Sequence, residues 1–317
     1  MKSRSLKLLT YGLGVGIVVA MVGYLYRQRD LFDTLKTLDL RSLVIVMALG
    51  AVTTFNYGGR FKIGSNVFGV PVSYWQALGL AATNTMLNYA IPLKGGMIMR
   101  AAYMKQRFEL SYTDYGALLA SSQLIAVAAG GLIGLAACAI ALAATGVGSL
   151  LLVGAFTASI MASVVAYLIA EKADLSRFVS PRLGERLQAF SSGFTRWRSH
   201  PLAVAKFVGS LAVTVLATSI RLYVVFRAVG VQAPLALLLV IGAATSISSA
   251  LSLTPGNLGI REAVIALSAS MLSVDGRVAL LVSLIDRAAG IVVMLAMGLG
   301  FSHTLTQRRR IGTKDPE

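Results

Sequence analysis

Long apolar stretches separated by short polar ones recur along the chain, and two of them are interrupted in the same way. Leu8–Tyr26 is the first. It follows Lys2, Arg4 and Lys7 as a signal peptide would, but its length and the lack of a small-residue cleavage site mark a retained span. In Arg27–Arg41, Leu31, Phe32, Leu35 and Leu38 fall at helical spacing among mixed charges, which predicts an amphipathic helix in the membrane interface. Ser42–Gly58 predicts a span that returns to a short basic loop holding Arg60, Lys62 and Pro71. Val72–Ile91 runs to the first interruption, and Met97–Phe108 leads into a basic loop with Arg100, Lys105 and Arg107. Tyr112–Ala144 and Leu150–Ala170 predict a long helical hairpin turning at Thr145-Gly-Val-Gly148. After the polar stretch Glu171–His200 comes Leu202–Val229. Pro234–Leu253 then leads to the second interruption and Gly259–Leu272 leaves it; Val278–Phe301 is the last span.

Composition agrees with a membrane protein. Of 317 residues 56% are hydrophobic and 13% charged, with mean hydropathy +0.75, where a soluble domain carries roughly a quarter charged residues. The expected fold is all-α: a polytopic membrane bundle forming one integral domain over residues 1–317. It divides into a first half (1–170), a cytoplasmic connector (171–200), a second half (201–303) and a basic tail (304–317).

The net charge of +16 does not point to nucleic acid, because the basic residues sit in short loops between apolar spans, as the positive-inside rule requires. The same loops suit anionic lipid head groups. With the N-terminus, the connector and the Arg308-Arg-Arg310 tail placed in the cytoplasm of a prokaryotic plasma membrane, each half holds an even number of crossings. Reading each interrupted pair as a re-entrant hairpin satisfies this. The first hairpin then opens to the cytoplasm and the second to the outside, an inverted arrangement with tips near the midplane.

Cys138 is the single cysteine, so no intramolecular disulfide forms. His200 and His303 make no ligand cluster with it or with a carboxylate. Neither a metal nor another cofactor is expected.

The interruptions carry the chemistry. They read Asn88-Tyr-Ala-Ile-Pro-Leu-Lys-Gly-Gly-Met-Ile-Met-Arg100 and Thr254-Pro-Gly-Asn-Leu-Gly-Ile-Arg-Glu262. Backbone that leaves a helix inside lipid must find partners in protein or in a water-filled cavity. Gly95, Gly96, Gly256 and Gly259 permit close approach and positive φ. A helix restarting after each break would aim free N–H groups at the gap. Lys94 and Arg100 on one side and Arg261 on the other would complete a phosphate-sized anion site. Glu262 either holds Arg261 or exchanges with a substrate phosphate.

Glu262 and Asp286 are the two carboxylates inside predicted spans, with Arg221, Arg261 and Arg287 as available partners. Asp286 and Arg287, being helical neighbours, are expected to serve different partners. The small-residue runs Ala128–Gly131 and Ala243–Ala250 read as close helix packing, or else as a polar-lined groove. Tyr74, Trp75 and Trp197 read as interface anchors.

At these residues the chain resembles the lysylphosphatidylglycerol synthase transmembrane-region family, also called flippase-like. Its members carry an Asn…Pro-x-x-x-Gly…Arg segment, matched by Asn88, Pro92, Gly96 and Arg100. They also carry a Pro-Gly-x-x-Gly-x-x-Glu segment, matched by Pro255, Gly256, Gly259 and Glu262, and then a helix with Arg, matched by Arg287. The resemblance runs over nearly the whole chain. It departs at Met97, where the family often has an acidic residue, and at Ala120-Ser-Ser-Gln-Leu124, where it often has an Arg-x-x-Asp pair. The synthase activity in the family's name sits in a separate soluble domain, and none is expected before Glu317.

What the resemblance implies is the membrane half: a flippase for an anionic phospholipid or a polyprenyl-phosphate-linked sugar. The alternative is a non-transporting accessory or scaffold that partners an envelope lipid or polysaccharide enzyme. The sequence offers no DxD-like pair, Ser/Lys dyad or nucleotide loop, so the chain is not expected to be an enzyme.

Overall fold

Helix starts and stops follow local chemistry in a computed structural model of the chain, which describes residues 39–90, 95–172, 191–251 and 254–311. The expectations for Leu8–Tyr26 and the amphipathic segment before Arg41 lie outside these residues, as do Pro92 and Lys94. Every regular element among the described residues is helical.

Helix α1 (Leu40–Val67) ends before Gly69, whose φ of 75° turns the chain. Ser73 and Gln76 cap α2 (Tyr74–Ala90) reciprocally, Ser73 N donating to Gln76 Oε1 at 3.1 Å and Gln76 N to Ser73 Oγ at 3.3 Å. Helix α3 (Gly95–Phe108) follows the first break. Ser111 starts α4 (Tyr112–Thr145) by accepting from Asp114 N at 2.9 Å, and Gly146 ends it at φ 70°. Helix α5 (Leu150–Lys172) returns beside α4.

Residues 191–198 are helical, and α6 (Pro201–Ala228) begins with proline in its first turn. Helix α7 (Leu235–Leu251) leads to a 3-10 turn at Pro255–Asn257. Helices α8 (Ile260–Met271) and α9 (Gly276–Ile311) follow.

Among the described residues, five helices are long and apolar enough to cross a bilayer: α1, α4, α5, α6 and α9 over Gly276–Phe301. The protein is a multi-pass helical membrane protein. Four shorter helices flank the two breaks, and none of them exceeds 17 residues.

Small residues set the packing. A Cβ on Gly134 would lie 2.4 Å from the Phe156 ring, and one on Gly131 would lie 2.8 Å from Phe156 O, so α4 and α5 meet nearly backbone to backbone. Gly130 faces α7 in the same way, through Ile247. Apolar side chains gather in two clusters. One is built around α6, α7, α8 and α9; the other joins α1, α2, α3 and the start of α4 with Trp197 and Phe207.

Three expectations need correction. Arg100, Lys105 and Arg107 lie within α3 rather than in a loop, the last two in its final turn, where cations offset the negative end of the helix dipole. Arg60 and Lys62 lie within α1 rather than in a loop. The helix continues because the Arg60 guanidinium is stacked 4.5 Å from the Tyr57 ring and faces Phe207 beyond it. Trp197 is no interface anchor, being buried at 2% exposure. Its indole N–H donates to Ser121 Oγ at 3.2 Å, and its ring meets Phe207 edge-on. Trp75, at 64% exposure, stays on the outer surface.

Candidate substrate cavity

The first break is closed by contact between the helices on either side of it. A Cβ on Gly96 would fall 2.1 Å from Asn84 O, so α2 and α3 cross here at a distance that glycine alone permits. Asn88 Oδ1 accepts from Gly96 N at 3.1 Å and ties the two helices together. Arg100, one turn into α3, is buried. Its Nε donates to Tyr115 OH at 2.6 Å, and its guanidinium lies 4.3 Å from the centre of the Phe61 ring. Among the described residues it pairs with no carboxylate.

The second break is built from left-handed backbone. Gly256, Asn257 and Gly259 have φ of 58°, 56° and 78°. Thr254 Oγ1 donates to Leu258 O at 2.8 Å across the turn. Glu262 reaches back to accept from Gly259 N at 2.8 Å, which places a carboxylate on the positive end of α8.

The end of α2 touches the second break. A Cβ on Gly256 would lie 2.8 Å from the Tyr89 ring, at the end of α2. Arg287 of α9 fastens the joint, donating from Nη1 to Tyr89 OH at 2.9 Å and to Gly256 O at 3.0 Å. Its Nη2 donates to Asn257 O at 3.1 Å and its Nε to Glu262 Oε1. A single guanidinium thus holds the end of α2, the turn and the start of α8. The Gly256 and Asn257 carbonyls are groups that non-helical backbone in lipid has to satisfy.

One residue earlier on α9, Asp286 faces a different pair of cations. Arg221 Nε lies 2.8 Å from its Oδ1 and Arg221 Nη2 donates to its Oδ2 at 2.9 Å, a two-pronged contact. Arg261 Nη2 donates to the same Oδ2. Arg221 Nη1 also approaches Thr53 Oγ1 at 3.4 Å. The side chains of Asp286 and Glu262 are each 1% exposed. Those of Arg287, Arg221 and Arg261 are 5%, 10% and 13% exposed, so Arg261 is the cation nearest to open space.

That space is a cavity of about 600 Å³ walled by both halves of the chain. It lies within the roughly 300–1,000 Å³ range of small-molecule sites. Arg100, Arg221, Arg261, Asp286 and Arg287 supply its charge. Asn84, Asn88, Gln123 and Asn257 and a set of Thr and Ser hydroxyls supply neutral polar surface. Four guanidiniums therefore face one carboxylate, which is already bound twice.

Most of the residues predicted from sequence come together here. Asn88, Arg100, Gly256, Arg261, Arg221, Asp286 and Arg287 line the cavity, and Gly96 and Gly259 shape the two turns. Gly95 is buried at the start of α3, and Pro255 opens the 3-10 turn. Two details differ from expectation. Glu262 pairs with Arg287, not with its neighbour Arg261, because successive helical residues point about 100° apart. The helix starts also do not offer unclaimed N–H groups throughout, since Gly96 N is held by Asn88 and Gly259 N by Glu262.

Sequence reasoning missed Tyr89, Asn84, Thr53 and Asn257. Asn257 carried a usable signal, because asparagine after Pro-Gly readily takes positive φ. The small-residue run of α7 serves both of its expected uses, with Ile247 packed on Gly130 and Thr245, Ser246 and Ser249 on the cavity wall.

The family described as Lysylphosphatidylglycerol synthase TM region matches residues 11–298, and the chain belongs to it. No match was found among curated proteins or solved structures.

Proposed function

We propose that this protein moves an anionic lipid across the membrane, the head group passing through the cavity while the acyl or prenyl tails stay in the bilayer. The observation that carries this reading is a wall of four arginines around a single doubly bound carboxylate, at the meeting point of two broken helices. A phosphate arriving in the cavity competes with Asp286 for Arg261, the most accessible of its partners. Arg100, free of any carboxylate among the described residues, attracts it from the opposite half. Exchange of one oxyanion for another lets the cation stay compensated throughout, which matters where a bare charge costs about 3 kcal/mol or more.

In this proposal the helices beside each break form re-entrant arms of opposite sense, the first open to the cytoplasm and the second to the outside. Parity does not decide the point, since two arms or two full crossings both leave each half with an even count. Length supports it. Helices of 17, 14, 17 and 12 residues reach about 25, 21, 25 and 18 Å, short of the roughly 30 Å hydrocarbon core. The chain acts as one membrane unit in a prokaryotic plasma membrane with both termini cytoplasmic. It works as a carrier and not as an enzyme, with rocking of one half against the other supplying alternating access.

Purified protein in liposomes, assayed with tail-labelled anionic lipids, tests the reading. Wild type transfers label between leaflets. Arg261→Gln slows transfer about tenfold or more, as expected from losing one charge-assisted bond to the moving group. Arg261→Gln with wild-type transfer would refute the assignment. A folded wild type that moves no lipid and co-purifies with one envelope enzyme would return the accessory reading.

A further inference from the structure

We propose that the cavity selects a head group in which the phosphate is followed by neutral hydroxyls, as in a phosphoglycerol or a glycosyl phosphate, and rejects one carrying an ammonium. This rests on the translocator reading and narrows it.

The first ground is electrostatic. Asp286 is the one carboxylate among the described lining residues; Arg221 and Arg261 both donate to its Oδ2, and its Oδ1 is ion-paired with Arg221 Nε at 2.8 Å without a hydrogen bond. Glu262, behind the wall, is equally committed, its Oε1 to Arg287 and its Oε2 to Gly259 N. An ammonium entering the cavity meets four guanidiniums, and the two carboxylates among these residues are already ion-paired to three of them. Repulsion between like charges is strong where the dielectric is low. A polyol carries no charge and escapes this penalty.

The second ground is an unused pair of carboxamides. Asn257 is 6% exposed and lines the cavity, yet neither its Oδ1 nor its Nδ2 has a protein partner. The left-handed backbone and the Arg287 bond to its carbonyl fix the residue in place, so its side chain is held ready for something else. Asn84 Oδ1, on the other broken segment's α2, is likewise buried and without a protein partner. A carboxamide offers both donors and an acceptor, the complement of a hydroxyl, which also does both.

The hydroxyls on the walls point the same way. Thr85, Thr245, Ser246 and Ser249 each donate to a backbone carbonyl four residues earlier, at 2.7 to 3.1 Å. With their protons spent, they present lone pairs, and these suit a ligand that brings its own O–H donors. The phosphate end is served by the arginines and the polyol end by the carboxamides and hydroxyls.

Calorimetry on the detergent-purified full chain tests this with inorganic phosphate, glycerol 3-phosphate, phosphoethanolamine and short-chain phosphatidylglycerol. Glycerol 3-phosphate is expected to bind about tenfold more tightly than phosphoethanolamine, the scale set by one satisfied against one orphaned buried polar group. Asn257→Gly keeps the positive φ and removes the carboxamide. It erases that preference while changing inorganic phosphate affinity by no more than about twofold. Asn84→Ala does the same in part.

With that preference present, tighter binding of the short-chain lipid than of glycerol 3-phosphate identifies a membrane-borne head group as the ligand, and equal binding admits soluble phosphopolyols; both sustain the proposal, whereas binding of the lipid with none of the free ester overturns it. Equal or tighter binding of phosphoethanolamine overturns it, as does an equal loss of phosphate and glycerol phosphate affinity in Asn257→Gly. If the preference stands while no lipid crosses in liposomes, translocation fails and the selectivity survives. Absence of binding by every phosphate ester overturns both.

Discussion

Asp286 and Arg287 sit side by side on α9 and organise two separate networks. Asp286 gathers Arg221 and Arg261, while Arg287 gathers Glu262, Tyr89 and two backbone carbonyls of the second break. Replacing Asp286 with Ala leaves two buried guanidiniums without their counter-charge. The expected loss is about 3–5 kcal/mol, the usual result of removing one member of a buried ion pair. Thermal unfolding in detergent measures it. A change below about 1 kcal/mol would mean that the network is solvated and worth no more than a surface pair.

The sequence announces the charged members, because carboxylates and arginines are rare inside apolar spans and must find one another. It does not announce which pairs form, since that depends on helix rotation. Tyr89 stayed hidden because an aromatic side chain near a helix break has many ordinary uses, and the signal at Asn257 concerns its backbone, not what its side chain faces.

At the scale of elements, two breaks divide what would be two long helices into four short ones. Each break depends on a glycine at a contact where no side chain fits. Gly96→Ala would set a Cβ 2.1 Å from Asn84 O, a backbone atom that cannot swing aside. Forcing α2 and α3 apart is expected to cost about 1–3 kcal/mol, and to weaken the Asn88 bond that spans the turn. Gly116→Ala, at a helical position with nothing within 4 Å, serves as the control and is expected to be neutral or stabilising. A comparison of melting temperatures separates the two, and equal values would refute the close crossing.

The break positions were legible because proline and glycine interrupt otherwise continuous apolar runs. The end of α1 was not. Arg60 and Lys62 read as a loop, yet stacking of Arg60 on Tyr57 lets a charged residue continue the helix to Val67. Such a compensation lies in three dimensions and leaves no periodic trace.

At the scale of the molecule, both halves contribute to one cavity, with Tyr89 and Arg100 from the first and Arg221, Arg261, Asp286 and Arg287 from the second. Hydropathy gives the spans, but nothing in it says that residue 89 meets residue 256. That contact comes from the packing of α2 on α9 and on the turn at Pro255–Asn257. The outer face is different in kind: α5 exposes Leu151, Met161, Val165 and Ile169 as a lipid-facing surface.

The contrast between cavity and outer face supplies the most direct test. An anionic lipid analogue with a photoreactive diazirine beside its phosphate is incorporated into membranes with the protein, irradiated, and mapped by mass spectrometry. The account predicts adducts on the cavity walls, in segments 84–89, 254–257 and 286–294, suppressed by Arg261→Gln. Adducts confined to the outer face of α5, unchanged by that substitution, would contradict it.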